Sequence, residues 1–159
     1  MTDRGSVLRE VTPEVIAEVQ AMIAAARYGA LATIAPTDGW PVATRVGLAV
    51  HEGMPLILIS ALAAHTAALR ADARCSLLLG EVPDKGDPLA FARATLKCRA
   101  MELARNEAVR AAYLRAQPKA EPYVDLPDFT FMRLAVESVS YNAGFGRAYV
   151  IGGEELRGD

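Results

Sequence analysis

The chain has few aromatic residues, no excess of positive charge and no long apolar run. Aromatic residues make up 6% of its 159 residues, and the formal net charge is −2. No basic stretch is interleaved with aromatics, so we expect no nucleic-acid partner. The most apolar window, 56–69, is interrupted by Ser60, His65 and Thr66 and is shorter than the ~20 residues of a membrane helix. We therefore expect no membrane association.

The sequence also has only two cysteines and no apolar leader. Cys75 and Cys98 lie in separate strand-like runs without CxxC spacing or nearby histidines. This pattern favours reduced core residues over a disulfide or a metal site. Charged residues interrupt the first 14 positions, which is not typical of a signal peptide. The expected compartment is the cytoplasm, and we predict no metal site.

Apolar residues are abundant, at 52% of the chain, which is enough for one domain over 1–159 with its core at about 12–151. Thr12-Pro13-Glu14 predicts the start of a helix that Gly29 ends. Further helices are predicted over 63–70 and 106–117. Apolar patterns predict six strands, at 30–35, 41–50, 56–60, 74–82, 91–103 and 129–139. Strands joined as hairpins, with helices inserted, favour a mainly β antiparallel barrel over alternating βαβ units.

The segment 55–79 has the clearest functional signal. It is predicted as a strand ending at Ser60, a short helix that opens on His65 and Thr66, and a second strand. The N–H groups of a first helical turn lack partners and the helix dipole favours an anion, so this segment is a candidate phosphate site. The alternative is that Ser60 and Thr66 only cap the helix while His65 lies at the surface.

The order and spacing of several short motifs resemble a known family. The motifs are 28–33, 39–44, 60–66, 86–89, 95–96 with 99–100, and 144–148. Over about 15–151 the chain is similar to the FMN-binding split-barrel proteins related to pyridoxamine 5′-phosphate oxidase, and within them to the HugZ-type haem-utilisation branch. The resemblance implies a six-stranded split barrel that forms a homodimer, with FMN in a groove lined by both subunits.

The resemblance also implies roles for individual residues. Thr44, Arg45 and Val46 correspond to the strand that passes beside the flavin ring, and Ser60, His65 and Thr66 correspond to the phosphate site. Relatives usually carry an Arg-Lys pair at the latter, where this chain has Ala64 and His65. The phosphate would then depend on N–H groups and hydroxyls.

Two arginines are further candidates for cofactor binding. Arg93 corresponds roughly to a position from which the partner subunit reaches the flavin. Arg147 lies in 145–148, a segment that combines an aromatic ring, a glycine and a guanidinium and can close over a planar ligand, or can simply be a closing turn. Aromatic candidates for the same groove, with core or interface roles as the alternative, are Trp40, Tyr123 and Tyr141.

The main functional prediction is an FMN-dependent oxidoreductase that acts on a small planar molecule. No catalytic residue is predicted, because no nucleophile triad, carboxylate pair or P-loop is present. The alternatives are a haem-binding or haem-degrading protein of HugZ type and a non-catalytic FMN-binding dimer. HugZ-type relatives generally add a C-terminal domain or tail with a haem-ligating histidine. In this chain, expected to be a short form without it, a haem iron would need His51, His65, a tyrosine or a cysteine.

Overall fold

The computed structural model of the chain describes residues 7–159. Its first helix, α1 (Pro13–Ala25), begins at the residue that the sequence predicts. The Thr12 hydroxyl accepts a hydrogen bond from the Val15 N–H at 3.3 Å and so caps the helix. The predicted end at Gly29 is wrong. Gly29 instead lies in the first strand, where an added Cβ would be 2.9 Å from a methyl group of Leu77. Close packing of the sheet, and not a helix terminus, therefore explains this glycine.

Within residues 7–159, eight strands form one antiparallel sheet. In chain order they are β1 (Tyr28–Ile34), β2 (Pro41–Gly47), β3 (Ala49–His51), β4 (Met54–Ser60), β5 (Arg74–Leu79), β6 (Arg93–Leu103), β7 (Phe129–Asn142) and β8 (Ala148–Gly152). Their order across the sheet is β2-β1-β5-β6-β7-β4-β3, and β8 pairs with β7. The sheet curls until β2 approaches β4 without pairing. The predicted mainly β split barrel with flanking helices is confirmed.

Within the residues that the structure describes, two further helices lie in connections between strands, and a third follows the last strand. They are α2 (Ala64–Ala71), α3 (Glu107–Ala116) and α4 (Gly153–Arg157), together with short 3₁₀ turns at Pro88–Ala90 and Pro118–Ala120. The predicted cap of α3 is confirmed, because the Asn106 side chain accepts a hydrogen bond from the Val109 N–H at 2.9 Å. Each helix in the described part of the chain is too short or too polar to span a lipid bilayer.

The strands differ from the prediction at two places. The predicted strand 41–50 is divided at Leu48, whose N–H donates to the Arg27 carbonyl at 2.9 Å. Before Leu48 the chain pairs with β1, and after it the chain pairs with β4. The segment after Arg147, for which a closing turn was an open alternative, continues as β8 along β7. Both differences are changes of pairing partner, since β3 forms a hairpin with β4 and β8 forms one with β7, and residue patterns alone do not fix which edge a strand pairs with.

The apolar core fills the barrel between α1 and the inner faces of the strands. Leu31, Leu77 and Leu96 are fully buried there, and burying a leucine contributes roughly 1.5–3 kcal/mol. Cys75 and Cys98 face each other across β5 and β6, and both are buried free thiols. A second, smaller cluster packs α3 against the outside of β4 and β7. The two clusters fix α3 and the following connection beside the gap between β2 and β4.

Candidate functional site

The gap between β2 and β4 is a cleft bordered by two unpaired strand edges. β3 pairs only with the first three residues of β4, Met54 to Leu56, so the rest of that edge is free. β2 pairs on one side only, with β1. We call this cavity of about 330 Å³ the split cleft. It is lined by 45–47 of β2, 58–60 of β4, and Ala63, His65, Tyr113, Gln117, Tyr123 and Phe129.

His65 lies in the first turn of α2 and lines the split cleft. Its Nδ1 is 3.1 Å from the hydroxyl oxygen of Thr44 on β2. Its Nε2 has no hydrogen-bond partner within residues 7–159. Burial lowers the pKa of His65 below its ordinary value, because a charged imidazolium loses hydration there. The side chain is therefore neutral at pH 7, with one ring nitrogen held by Thr44 and the other free.

Ser60 and Thr66 shape the turn between β4 and α2. The Thr66 hydroxyl donates to the Ser60 carbonyl at 2.5 Å, and the Thr66 side chain is only 1% exposed. The Ser60 hydroxyl accepts from the Leu62 N–H at 3.2 Å. The Thr66 hydroxyl thus uses its proton within the protein, whereas the Ser60 hydroxyl is an acceptor there and keeps its proton to donate. Their role in binding phosphate stays a prediction. The alternative that they cap the helix is wrong, because the N-cap of α2 is Ala63 and no side chain of residues 7–159 caps it; the hydroxyls hold the turn before the helix instead.

Arg45 and Val46 occupy the cleft from the side of β2. The Arg45 guanidinium carbon lies 5.7 Å from the ring centre of Tyr28, within range of a cation–π interaction. Arg45 is exposed and has no carboxylate partner in the described part of the chain. Val46 is buried and forms part of the apolar wall. The cleft therefore presents one guanidinium that is free to bind an anion.

The remaining wall is aromatic and comes from the connection between α3 and β7. The rings of Tyr123 and Phe129 are 5.2 Å apart, with a tilt of 35°. The Gln117 amide donates to the carbonyls of Arg27 and Leu48 at 2.6 and 2.9 Å, which ties this connection to the barrel. Sequence reasoning proposed Tyr123 for the groove but missed Phe129 and Gln117. Both residues flank the proline-bearing connection before β7, which is the sequence feature that could have indicated them.

Arg93 and Arg147 do not reach the split cleft of their own chain. Arg93 donates to the carbonyls of Leu89 and Phe91, at 3.1 and 3.4 Å, and so holds the loop before β6. Arg147 forms an ion pair of 3.5 Å with Glu18 on α1. The structure therefore brings together Thr44, Arg45, Val46, Ser60 and His65, with Thr66 beneath them, and places the two other arginines elsewhere.

A second cavity, which we call the α1 groove, lies between α1, the start of β1 and the loop after β5. Its volume is about 770 Å³, and its lining includes Glu18, Met22, Tyr28, Phe91 and Tyr141. The Tyr141 hydroxyl donates to Glu18 at 2.8 Å. Burial, with the hydrogen bond to Glu18 as a smaller cause, raises the pKa of Tyr141 to about 12. Glu18 is therefore already engaged by the Tyr141 phenol and, through an ion pair, by the Arg147 guanidinium.

Sequence reasoning missed Glu18, although a signal was present. Glu18 follows Val15 by three positions and precedes Met22 by four, so it lies beside the buried stripe of α1. Of the other candidates, Trp40 is exposed, Tyr141 belongs to the α1 groove, and His51 lies in the β3–β4 hairpin beside Glu52. These three candidates therefore lie outside the split cleft.

Comparison with known proteins identifies the family. Residues 15–143 match the pattern of the family described as pyridoxamine 5′-phosphate oxidase, and the chain belongs to this family of split barrels. It is 34% identical to the chloroplastic non-canonical heme oxygenase HOZ of Arabidopsis thaliana over 143 residues, which are 87% of this chain and 43% of that protein. The chain therefore spans less than half the length of this curated relative.

Solved structures have the same fold. A heme binding protein from Mycobacterium smegmatis superposes with a TM-score of 0.85 and 34% identity, over 94% of this chain and 62% of that chain. ChuZ of Campylobacter jejuni superposes with a TM-score of 0.80 over 92% of this chain and 63% of that one. Its identity of 18% supports the fold alone. The Arabidopsis heme oxygenase and the Mycobacterium heme binding protein support the HugZ-type haem branch within the family.

Proposed function

We propose that this member of the pyridoxamine 5′-phosphate oxidase family binds haem, and that the split cleft receives it. The relatives at 34% identity are a heme oxygenase and a heme binding protein. This proposal gives precedence to the haem alternative over the FMN-dependent oxidoreductase that the sequence predicted. The Arabidopsis relative makes opening of the haem ring the reaction to test first.

The chemistry of the cleft walls is the observation that carries the proposal. Leu58, Val46, Tyr123 and Phe129 present an apolar and aromatic surface, which suits the flat macrocycle of a porphyrin. Arg45 stands beside this surface without a carboxylate partner, and a guanidinium suits a propionate carboxylate. The neutral imidazole of His65 also lines the cleft. The residues present therefore fit haem.

The same cleft fits the phosphate of FMN less well. A phosphate dianion needs several charged or N–H donors. The positions of the basic pair are Ala64 and His65, and the pKa of His65 is lowered by burial. The Thr66 hydroxyl already donates its proton to the Ser60 carbonyl. The Ser60 hydroxyl accepts from the Leu62 N–H and is thus the one hydroxyl of this turn that keeps a proton to donate. Arg45 is the remaining cation of the cleft, which favours a carboxylate-bearing ligand over a phosphate-bearing one.

The chain's own residues provide binding and exclusion of water. Haem, when bound, supplies the iron and the redox chemistry of the macrocycle. The aromatic wall shields one side of the cleft from water, and Arg45 orients the carboxylate end of the ligand. The cleft volume of about 330 Å³ is at the small end of the roughly 300–1,000 Å³ of ligand pockets, so part of the ligand extends beyond one chain.

A homodimer would cover that part, and we include it in the proposal. On the outer face of the sheet, Ala30 lies between Arg45 of β2 and Leu78 of β5. Leu78 is 48% exposed and Ile34 is 36% exposed on the same face. Exposed apolar side chains on a flat face of small residues are typical of a surface covered by a partner. Light scattering coupled to size exclusion tests this, with twice the mass of one chain as the expected result.

The decisive experiment is a parallel titration of the purified protein with haemin and with FMN. We expect a Soret band shifted from that of free haemin, saturating at one haem per chain, and no saturable quenching of FMN fluorescence over the same concentrations. Addition of a reductant in air to the haemin-loaded protein then tests ring opening through loss of the Soret band. Saturable FMN binding without haemin uptake would overturn the proposal in favour of a flavin-binding role.

A further inference from the structure

We propose that His65 is the protein ligand of the haem iron, through Nε2. This inference rests on the proposed haem binding and adds the residue that contacts the metal. Neutral imidazole nitrogen is a common iron ligand. His65 lines the split cleft, and its Nε2 is the ring nitrogen without a hydrogen-bond partner in the described part of the chain.

The other potential ligands lie in less suitable places. His51 is in the β3–β4 hairpin, 3.9 Å from the Glu52 carboxylate, and does not line the cleft. The thiols of Cys75 and Cys98 are buried between β5 and β6, where burial raises the pKa of Cys75 to about 11 and that of Cys98 further. A protonated thiol is a poor iron ligand because the metal binds the thiolate.

Two tyrosines line the cleft and are the alternatives to His65. Tyr113 is buried, and burial raises its pKa to about 12, so its phenol resists the deprotonation that iron binding requires. Tyr123 is exposed, and its ring lies 5.2 Å from that of Phe129 at a tilt of 35°. Tyr123 is therefore the ligand that an experiment has to distinguish from His65.

Thr44 gives His65 the arrangement of a metal-ligating histidine. Such histidines usually donate their second ring N–H to an acceptor, which fixes the tautomer and the orientation of the ring. Here the Thr44 hydroxyl oxygen lies 3.1 Å from Nδ1. With the proton on Nδ1 donated to Thr44, the lone pair of Nε2 is available, and coordination needs no loss of a proton. Thr44 is a positioning residue in this arrangement.

The test compares optical and EPR spectra of the ferric haemin complexes of the wild type and four variants. We expect the wild type to show nitrogen ligation, and His65→Ala to lose it and to recover it when imidazole is added. His65→Cys should shift the Soret band and g-values to those of a thiolate complex. His51→Ala and Tyr123→Phe, as matched controls, should retain the wild-type spectrum.

A second pair of variants keeps the inference testable if the His65 variants fold poorly. Thr44→Val removes the acceptor for Nδ1–H, and we expect haemin affinity to fall roughly tenfold, whereas Thr44→Ser retains the hydroxyl and should bind as the wild type does. Wild-type spectra in both His65 variants, or loss of the spectrum in Tyr123→Phe, would overturn the role of His65. A wild type that takes up no haemin would instead refute the proposed function itself.

Discussion

The split cleft and the α1 groove differ in how much of their chemistry is already used. The groove is the larger, at about 770 Å³ against about 330 Å³ for the cleft. In the groove, Glu18 accepts the Tyr141 hydroxyl and pairs with Arg147. In the cleft, Arg45 has no carboxylate partner and one ring nitrogen of His65 is free. The larger volume therefore favours the groove as a ligand site, whereas the unpartnered polar groups favour the cleft.

The available groups decide between the two cavities on energetic grounds. A ligand whose charged end contacts Glu18 in the groove must displace an existing ion pair or hydrogen bond, and it gains only the difference. A ligand that enters the cleft gains contacts with Arg45 and His65 without breaking an ion pair. The comparison teaches that a satisfied polar network in a large cavity is evidence for structure, whereas unsatisfied groups in a smaller one are evidence for binding.

The largest expected effect concerns the base of the cleft. Thr66→Ala removes the buried hydroxyl that donates to the Ser60 carbonyl. The Ser60 carbonyl keeps a hydrogen bond from the Ala63 N–H at 3.1 Å. The variant therefore loses one hydrogen bond and leaves a small cavity at a buried site, which together cost about 1–3 kcal/mol. We expect the free energy of unfolding to fall by that amount in urea titrations. Thr66→Ser, the matched control, keeps the hydroxyl and should retain most of the wild-type free energy of unfolding. Equal stability of Thr66→Ala and the wild type would show that the turn does not depend on this bond.

The comparison itself is tested by Arg45, which lines the cleft, and by Arg147, which pairs with Glu18 of the α1 groove. Arg45→Ala removes the guanidinium proposed for a propionate, and we expect haemin affinity to fall about tenfold, or about 1.4 kcal/mol. Arg147→Ala removes a guanidinium already paired with Glu18 and should change affinity less than about twofold. Haemin titrations of both variants provide the measurement. A larger loss for Arg147→Ala would reverse the assignment of the two cavities.

A smaller effect on stability is expected from the substitution of Glu18 in the α1 groove. In Glu18→Gln the ion pair with Arg147 is lost, which at a partly exposed site costs about 0.5 kcal/mol of stability. The pKa of Tyr141 is raised to about 12 first by burial and then by Glu18, so removing the carboxylate charge should lower that pKa. Ultraviolet titration of the phenolate measures it, and haemin affinity should stay at the wild-type value. An unchanged tyrosine titration would contradict the proposed network.

The smallest expected effect is on the pH dependence of stability. Burial lowers the folded-state pKa of His65 below its ordinary value of 6.5. Between these two values the unfolded chain binds more protons, so the contribution of neutral His65 is fully present above the ordinary pKa and is lost as pH falls below it. We expect His65→Gln to lose less stability than the wild type between pH of about 7.5 and about 5.5 in urea titrations. Identical losses would indicate that His65 is not desolvated.

Local signals were predicted well because they depend on neighbouring residues. The caps at Thr12 and Asn106 satisfy N–H groups three residues away, so short sequence patterns encode them. The structure also brings Thr44, Arg45, Val46, Ser60 and His65, which the family resemblance assigned to the cofactor, to one region of the fold. Whether those residues bind the cofactor stays a prediction. The change of strand partner at Leu48 and the continuation of the chain as β8 were missed.

The sequence by itself determined the split-barrel class, the positions of most elements and the absence of a basic pair at Ala64 and His65. Apolar periodicity and turn residues act over a few positions, and a missing side chain needs no structure to be seen. Only the tertiary structure decided which polar groups remain free. Glu18 meets Arg147 and Tyr141 across more than 120 positions. Partnership of this kind depends on packing between distant segments, and within the cleft it leaves Arg45 and His65 as groups that a ligand can bind.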